Sequence, residues 1–309
     1  MPYAVYGSPG TPATAAPDPW SPLDITWTGW DGRRWSLAGT DPEKSIRLQQ
    51  GVRGFTFPPI EEHVSESPAR RGQEFQDHRE LAREVFWPLM VHHGTGSKEW
   101  LAWDALFRRS LRFNRPGMWS VRQPESGETR SVMLRLRGDG DPPWYASPGL
   151  LGWGTYEYTL VADQPLWSGA PILSPRWTLG DPVDFTGPED AAPDYYVSEA
   201  ATSESATMTN PSDVGVWPTF TFRDQLNAGS EVSVNGFRIG VPFALELGDL
   251  LTISTETGGA RLNGERVGHL LNPREFEPIP DGEEVEIGIS IAGTGSVQAS
   301  ITPLYYAAW

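Results

Sequence analysis

Residues 284–301 read EVEIGISIAGTGSVQASI, and this stretch decides the fold of the C-terminal part of the chain. Apolar side chains recur at every second position over Val285–Ile291 and again over Val297–Ile301. A period of two is typical of β-strands that bury one face. Gly293–Gly295 separates the two runs and fits a reversing turn. The stretch therefore predicts two strands joined by a turn.

The sequence before this stretch repeats the order of short strand, turn and short strand. Val232–Val234 and Phe237–Val241 flank Asn235-Gly236, and Asn263-Gly264 separates two further short runs. Asn-Gly suits a two-residue type I′ turn because both turn positions need a positive φ. Strands at this spacing, with no helix between them, predict an antiparallel β-sandwich over residues 196–309.

Residues 23–195 are predicted to form a second β-rich domain. Asp31-Gly32 indicates a hairpin near its start, and Trp153–Ala162 has the composition of a strand. Glu84–Val91 is also strand-like, although Pro88 should place it at a sheet edge or a bulge because proline donates no hydrogen bond.

One helix is predicted within this domain, over residues 97–113. Ser97 can cap it, and Pro116-Gly117 follows its end. Aromatic and aliphatic residues recur at helical spacing on one face. These residues are Trp100, Trp103, Phe107 and Leu111.

Three segments are predicted to lack a core of their own. Residues 1–22 hold six prolines and form a Pro-rich arm. Residues 60–78 are polar and charged, which favours a loop. Residues 163–195 are rich in Pro, Asp and Gly, and the domain boundary is placed near their end.

Composition limits the classes of function. The 309 residues carry a formal net charge of −16, and residues 191–309 hold 5 basic and 16 acidic groups, a balance of −11. Such an acidic surface should repel nucleic acid.

The chain has no cysteine, which excludes disulfides and thiolate metal sites. No stretch reaches the roughly 18 apolar residues of a membrane span. We expect synthesis in a cytoplasm and no membrane partner.

The sequence indicates no catalytic, cofactor or metal site. His92-His93 are adjacent on a predicted strand, so their side chains should point to opposite faces and not share a metal. Asp139-Gly140-Asp141 resembles only the start of a calcium loop, and Pro142-Pro143 replaces its further ligands. The 14 tryptophans favour core packing and contacts between subunits over a sugar-binding platform.

Several segments, in their order along the chain, resemble the distal tail proteins of long-tailed bacteriophages, which in phages of actinobacteria are often called minor tail proteins. The segments are Trp27–Gly32, Trp35–Leu37, Gly51–Gly54, Arg83–Leu89, Trp100–Leu111, Tyr158–Trp167, Asn210–Val214, Trp217–Phe220, Asn263-Gly264, Pro280–Gly282 and Tyr305-Tyr306. Together they cover nearly the whole chain. The Pro-rich arm and residues 168–195 depart from the family pattern.

The resemblance implies a function in the virion. Members of this family form a ring, usually a hexamer, at the distal end of the tail, which joins the tail tube to the baseplate or tip hub and lets DNA pass. The N-terminal domain forms the ring, and a galectin-like sandwich projects outward. The implied partners are further copies of the chain, the tail tube protein, the tape measure protein and the hub or tip proteins. The family carries no catalytic residue, so no enzymatic activity is expected.

Two alternatives remain open from the sequence. A carbohydrate-binding module that docks to a host cell-wall glycan would expose aromatic side chains in a concave surface. A glycan hydrolase would place two carboxylates close together in a deep cleft.

Overall fold

A computed structural model describes Trp20 and residues 23–38, 44–67, 69, 71–94, 97–140, 147–178 and 201–309. The rest of the Pro-rich arm and the predicted boundary near residue 195 lie outside the described residues. The chain divides into two compact units. The first comprises residues 1–167 and 306–309, and the second comprises residues 168–305.

The first unit is mainly β with one long helix. Its elements are β1 (Asp24–Thr28), β2 (Arg34–Ser36), β3 (Lys44–Leu48), β4 (Ile60–Glu66), β5 (Gln73–Glu80), β6 (Arg83–His93), α1 (Ser97–Ser110), β7 (Gly117–Arg122), β8 (Thr129–Gly140), α2 (Pro148–Leu151), β9 (Trp153–Ala162) and β10 (Trp167–Ser168), the last at the division between the units. The main sheet follows the order β2-β1-β7-β8-β9-β6-β3, with antiparallel neighbours.

Tryptophan rings form the centre of this unit. Trp27, Trp87, Trp119 and Trp167 have at most 1% of their surface exposed. Their ring centroids lie 5.3 Å apart for Trp27 and Trp87, and 4.9 Å apart for Trp119 and Trp167. The absence of a side chain at Gly117 allows the backbone of β7 to lie against the Trp27 ring, since a Cβ at this position would lie 2.5 Å from that ring. These tryptophans therefore stabilise the core, one of the two uses that the sequence favoured.

Strand β6 corrects the expectation about Pro88. The strand lies between β9 and β3 and is not at an edge, and its pairing with β9 is regular across Pro88 and Glu157. The Pro88 carbonyl accepts a hydrogen bond from the Gln49 amide (2.7 Å), just past the last residue of β3. The missing N–H of Pro88 points to the same side as this carbonyl, away from β9, so the β6–β9 ladder loses no bond and the pairing with β3 ends at Leu48 and Leu89.

The helix α1 ends at Ser110, three residues before the predicted Phe113. The Ser110 hydroxyl donates to the Phe107 carbonyl (2.6 Å) and accepts from the Trp27 indole (2.9 Å). Two residues further, the Arg112 carbonyl accepts the Leu136 amide of β8 (2.8 Å). In the last turn the Arg109 carbonyl accepts from the Trp30 indole (2.8 Å), so donors distant in the sequence bind carbonyls at and just beyond the end of the helix.

The helix carries one buried carboxylate, Asp104, with 1% of its surface exposed. Its two oxygens accept from the Tyr156 hydroxyl (2.6 Å) and from Arg108 Nε (2.8 Å). Burial, followed by the bond to Asp104, raises the pKa of Tyr156 well above its ordinary value. The phenol therefore stays protonated and anchors α1 to β9.

The second unit contains two antiparallel sheets and a 3₁₀ helix (Gly268–Leu270). Its strands are β11 (Ile172–Leu173), β12 (Trp177–Thr178), β13 (Ala201–Thr209), β14 (Thr219–Arg223), β15 (Ser230–Val234), β16 (Phe237–Val241), β17 (Leu250–Ser254), β18 (Gly259–Leu262), β19 (Glu265–Arg266), β20 (Glu284–Ala292), β21 (Ser296–Ile301) and β22 (Leu304–Tyr305). One sheet runs β11-β21-β14-β17-β18-β19, with β12 also on β21, and the other runs β13-β20-β15-β16. Both contribute to one buried apolar cluster.

The strand and turn predictions for this unit are confirmed. Asn235 and Asn263 have φ of 48° and 49°, and each is followed by a glycine with positive φ. The predicted apolar positions of β20 and β21 are buried. These two strands lie in different sheets, however, so the Gly293–Gly295 turn carries the chain from one sheet to the other.

Residues 168–178 belong to the second unit, although the sequence places them in the first domain. Strands β11 and β12 pair with β21, and Trp177 joins the apolar cluster with 4% of its surface exposed. The sequence did not predict these two-residue strands because the segment that contains them is rich in proline and glycine.

We expect a fragment of residues 168–305 to be more stable than one of residues 196–309. The shorter fragment lacks Trp177, and loss of a buried tryptophan costs about 3–5 kcal/mol. Urea unfolding monitored by circular dichroism measures the difference. Equal midpoints for the two fragments would contradict the assignment of β12 to this core.

Candidate assembly surface

Strands β4 and β5 form a hairpin where the sequence predicted a loop. They pair only with each other, in a two-stranded antiparallel sheet, with an irregularity between His63 and Val64. All seven side chains of β4 are exposed. The loop prediction was wrong because strands that bury no face need no regular alternation of apolar residues. The Leu81 amide closes the base of the hairpin on the Pro59 carbonyl (2.8 Å).

The exposed apolar side chains of this hairpin share one face. Val64 lies directly opposite Phe75, and Ile60 is four residues from Val64 along β4. Side chains two and four residues apart point to the same side of a strand. The exposed fractions are 48% for Ile60, 38% for Val64 and 58% for Phe75. We call Ile60, Val64 and Phe75 the hairpin apolar face.

The opposite face of the hairpin is polar. His63 pairs with Asp77 across the strands, and Arg79 Nη2 lies 2.6 Å from Glu61 Oε2. Residues 60–80 hold six carboxylates and three arginines, so the hairpin has a net charge of −3. Alternation along β4 also places Glu62 and Glu66 beside Ile60 and Val64, so this face combines exposed apolar and acidic side chains.

Arg83 fixes the chain at the base of the hairpin. Its side chain is 1% exposed and donates to the carbonyls of Gly54, Thr56, Pro165 and Tyr306. All four acceptors are neutral, and burial lowers the pKa of Arg83 to about 10. The guanidinium remains charged at neutral pH, and its rigid fork of donors binds three separate segments of the first unit.

Residues 306–309 belong to this anchored region. The Tyr306 hydroxyl donates to Glu80 Oε1 (3.0 Å), and the Ala308 amide donates to the Phe55 carbonyl (2.8 Å). The Trp309 ring lies 5.1 Å from that of Phe55. The end of β5 is thus held by the last residues of the sequence as well as by Arg83.

A second exposed surface surrounds Trp30, at the C-terminal end of α1. The Trp30 indole donates to the Arg109 carbonyl (2.8 Å). The guanidinium carbons of Arg112 and Arg115 lie 5.8 Å and 4.6 Å from the Trp30 ring centre, within cation–π range. We call these four residues the Trp30–arginine patch. Arg108, which lies next to Arg109 in α1, is bound instead to Asp104.

The described residues contain no group of three or more His, Asp or Glu side chains placed to hold a metal ion. His92 and His93 lie at the end of β6, where the His93 ring packs 6.3 Å from Trp103. In the same described part of the chain, no helix is long and apolar enough to cross a membrane.

The described chain thus consists of two β-rich units, with an exposed hairpin and an aromatic–arginine patch at the surface of the first. No family model matches the chain. The chain is 24% identical to Minor tail protein Gp27 of Mycobacterium phage D29, over 80% of this chain and 89% of that protein.

Solved structures show the same fold. The Dit (gp 19.1) protein of SPP1, described as a paradigm of the hub adsorption apparatus in phages that infect Gram-positive bacteria, has a TM-score of 0.56 and 12% identity, over 91% of this chain and 98% of that chain. A chain of the phage P2 baseplate, in its activated conformation with Ca, has a TM-score of 0.51 and 10% identity, over 91% and 98%. The resemblance to the phage minor tail and distal tail proteins is therefore confirmed.

Proposed function

We propose that this chain is a structural component of a phage tail tip, where copies of it form a closed ring that joins the tail tube to the baseplate or tip hub. The observation that carries the proposal is the match to a minor tail protein over most of both chains, together with the fold of a hub protein over nearly the full length. A hexamer, a galectin-like second unit and no enzymatic activity are the further properties that the family resemblance implies.

The two surfaces of the first unit support the ring. A closed ring needs two different, complementary patches on each copy. The hairpin offers an acidic and apolar surface, and the Trp30–arginine patch offers a basic and aromatic one. Tryptophan and arginine are favoured at the centre of protein interfaces. We propose that the hairpin of one copy packs on the Trp30–arginine patch of the next.

This pairing also bears on the passage of DNA. Arginines that are covered by a neighbouring subunit do not line the channel, and the net charge of −16 does not favour adhesion to a polyanion. We propose that DNA passes through the ring without being retained. Retardation of duplex DNA by the purified protein at physiological salt would contradict this point.

Immunogold labelling tests the location of the protein. An antibody raised against residues 168–305 is applied to intact particles. As the control, an antibody against the capsid is applied to a second sample of the same particles. We expect the first label at the distal end of the tail only. Label along the tube, on the capsid or nowhere on the particle would overturn the proposed function.

A further inference from the structure

The second unit holds a cavity of about 740 Å³ beside β17, β18 and β19. Residues 191–309 contain five basic residues against sixteen acidic ones, and three of these five line this one cavity. The three are Arg261, Arg266 and Arg274. No Asp or Glu is among the lining residues. The second unit, residues 168–305, has six basic residues in all, so half of its cationic side chains lie at this one place.

Two of these arginines oppose each other without a carboxylate between them. Arg261 on β18 lies directly across from Arg266 on β19, and like charges in such a pair destabilise a sheet. Glu265 pairs with Leu262, so alternation directs it to the other face. Within the described part of the chain, none of the three guanidinium groups lies within 4.0 Å of a carboxylate. Arg261 and Arg266 therefore repel each other, and a bound anion would reduce this repulsion.

The third arginine is held in position for a ligand. Arg274 Nη2 donates to the Gly258 carbonyl (3.1 Å), and its guanidinium carbon lies 5.7 Å from the Phe276 ring centre. Gly258 has a φ of +61°, and a Cβ there would lie 3.0 Å from the Phe276 ring. Arg261 in turn donates one bond to the Gly264 carbonyl (3.0 Å). Each guanidinium has five donors, so most of them remain for a ligand.

We infer that this cavity binds an anionic sugar, that is, a sugar that bears a phosphate or a carboxylate. Arginine forks match the geometry of both anions. Hydroxyl groups of Thr252, Ser254 and Thr257 also line the cavity and suit the hydroxyls of a sugar. The volume lies in the range of small-molecule sites. A nucleic acid fits less well, because its repeated charges would meet the acidic remainder of the unit.

The site is independent of the ring, since its lining lies wholly in the second unit. It also differs from a neutral sugar platform, because no Trp or Tyr lines the cavity. The sequence did not show the site because its arginines are separated by up to thirteen residues and are brought together only by strand pairing and the 3₁₀ segment.

Isothermal titration of the full chain tests the inference. The probes are glucose 6-phosphate, glucuronate, inorganic phosphate, neutral glucose and a short single-stranded oligonucleotide. We expect at least one of the two anionic sugars to bind at least tenfold more tightly than glucose or inorganic phosphate. Arg266→Gln should weaken this binding about tenfold or more. The matched control is Arg223→Gln, because Arg223 is an exposed arginine of the same unit that does not line the cavity.

The stability of the variants distinguishes a binding site from a structural role. Arg266→Gln removes one of two opposed charges, so its melting temperature should equal or exceed that of the native chain. Failure of both anionic sugars to bind, equal binding of phosphate alone, tighter binding of the oligonucleotide, or equal losses in the Arg266 and Arg223 variants would each overturn the inference. None of these results depends on whether the chain forms a ring.

Discussion

Replacing Arg83 with methionine is expected to destabilise the first unit by about 3–5 kcal/mol. The substitution leaves four carbonyl groups, of Gly54, Thr56, Pro165 and Tyr306, without their donor. A buried acceptor left unsatisfied costs about 1–3 kcal/mol. The substitution also removes a charge that burial disfavours, which offsets part of the cost of the four unsatisfied carbonyls. The expected loss of stability is therefore smaller than four times the cost of one carbonyl.

Urea unfolding followed by tryptophan fluorescence measures the loss. Arg79→Met is the matched control, because Arg79 is exposed and its ion pair with Glu61 lies at the surface. Such pairs contribute about 1 kcal/mol or less. Arg83→Lys should fall between the two, since an ammonium cannot reach all four carbonyls. A loss below about 1 kcal/mol for Arg83→Met would show that the four bonds do not hold the base of the hairpin.

Replacing Val64 and Phe75 together with serine is expected to dissociate the proposed ring into monomers. Both side chains are exposed on the hairpin apolar face, so the folded subunit should lose little stability. In the ring they would be buried, and burial of each contributes about 1.5–3 kcal/mol. A loss of about 4 kcal/mol per interface weakens association roughly a thousandfold.

Multi-angle light scattering of the native and variant chains measures the mass relative to the 34.1 kDa protomer. The control replaces His63 and Asp77 with serine, because this cross-strand pair lies on the polar face of the same hairpin. We expect the control to keep the mass of the native assembly. Dissociation by the control alone, or an unchanged mass for the Val64 and Phe75 variant, would refute the role of the apolar face.

Local patterns in the sequence predicted much of the fold. Asn235-Gly236 and Asn263-Gly264 adopt the backbone that their residue types favour, and β9 has the predicted bounds Trp153–Ala162. These features depend on neighbours along the chain. The end of α1 depends instead on residues distant in the sequence. The Trp27 indole donates to the Ser110 hydroxyl, and the Leu136 amide donates to the Arg112 carbonyl.

The candidate surfaces were harder to predict from the sequence, for a physical reason. The hairpin at residues 60–80 has only three large exposed apolar residues, which are widely spaced, and none that is buried, so no period of two marks it. Arg109, Arg112 and Arg115 lie close together in the sequence, but their contacts with Trp30 join residues about 80 positions apart. Arg83 likewise gave no local signal, since its four acceptors come from three distant segments.

A cryo-electron microscopy reconstruction of the tail tip tests whether the chain forms the proposed ring. We expect copies of this chain in a closed ring around the tail axis, with each hairpin packed on the Trp30–arginine patch of its neighbour and those arginines away from the channel. A single copy per tail, a ring without contact between these two surfaces, or Arg112 and Arg115 lining the channel would refute the proposed assembly.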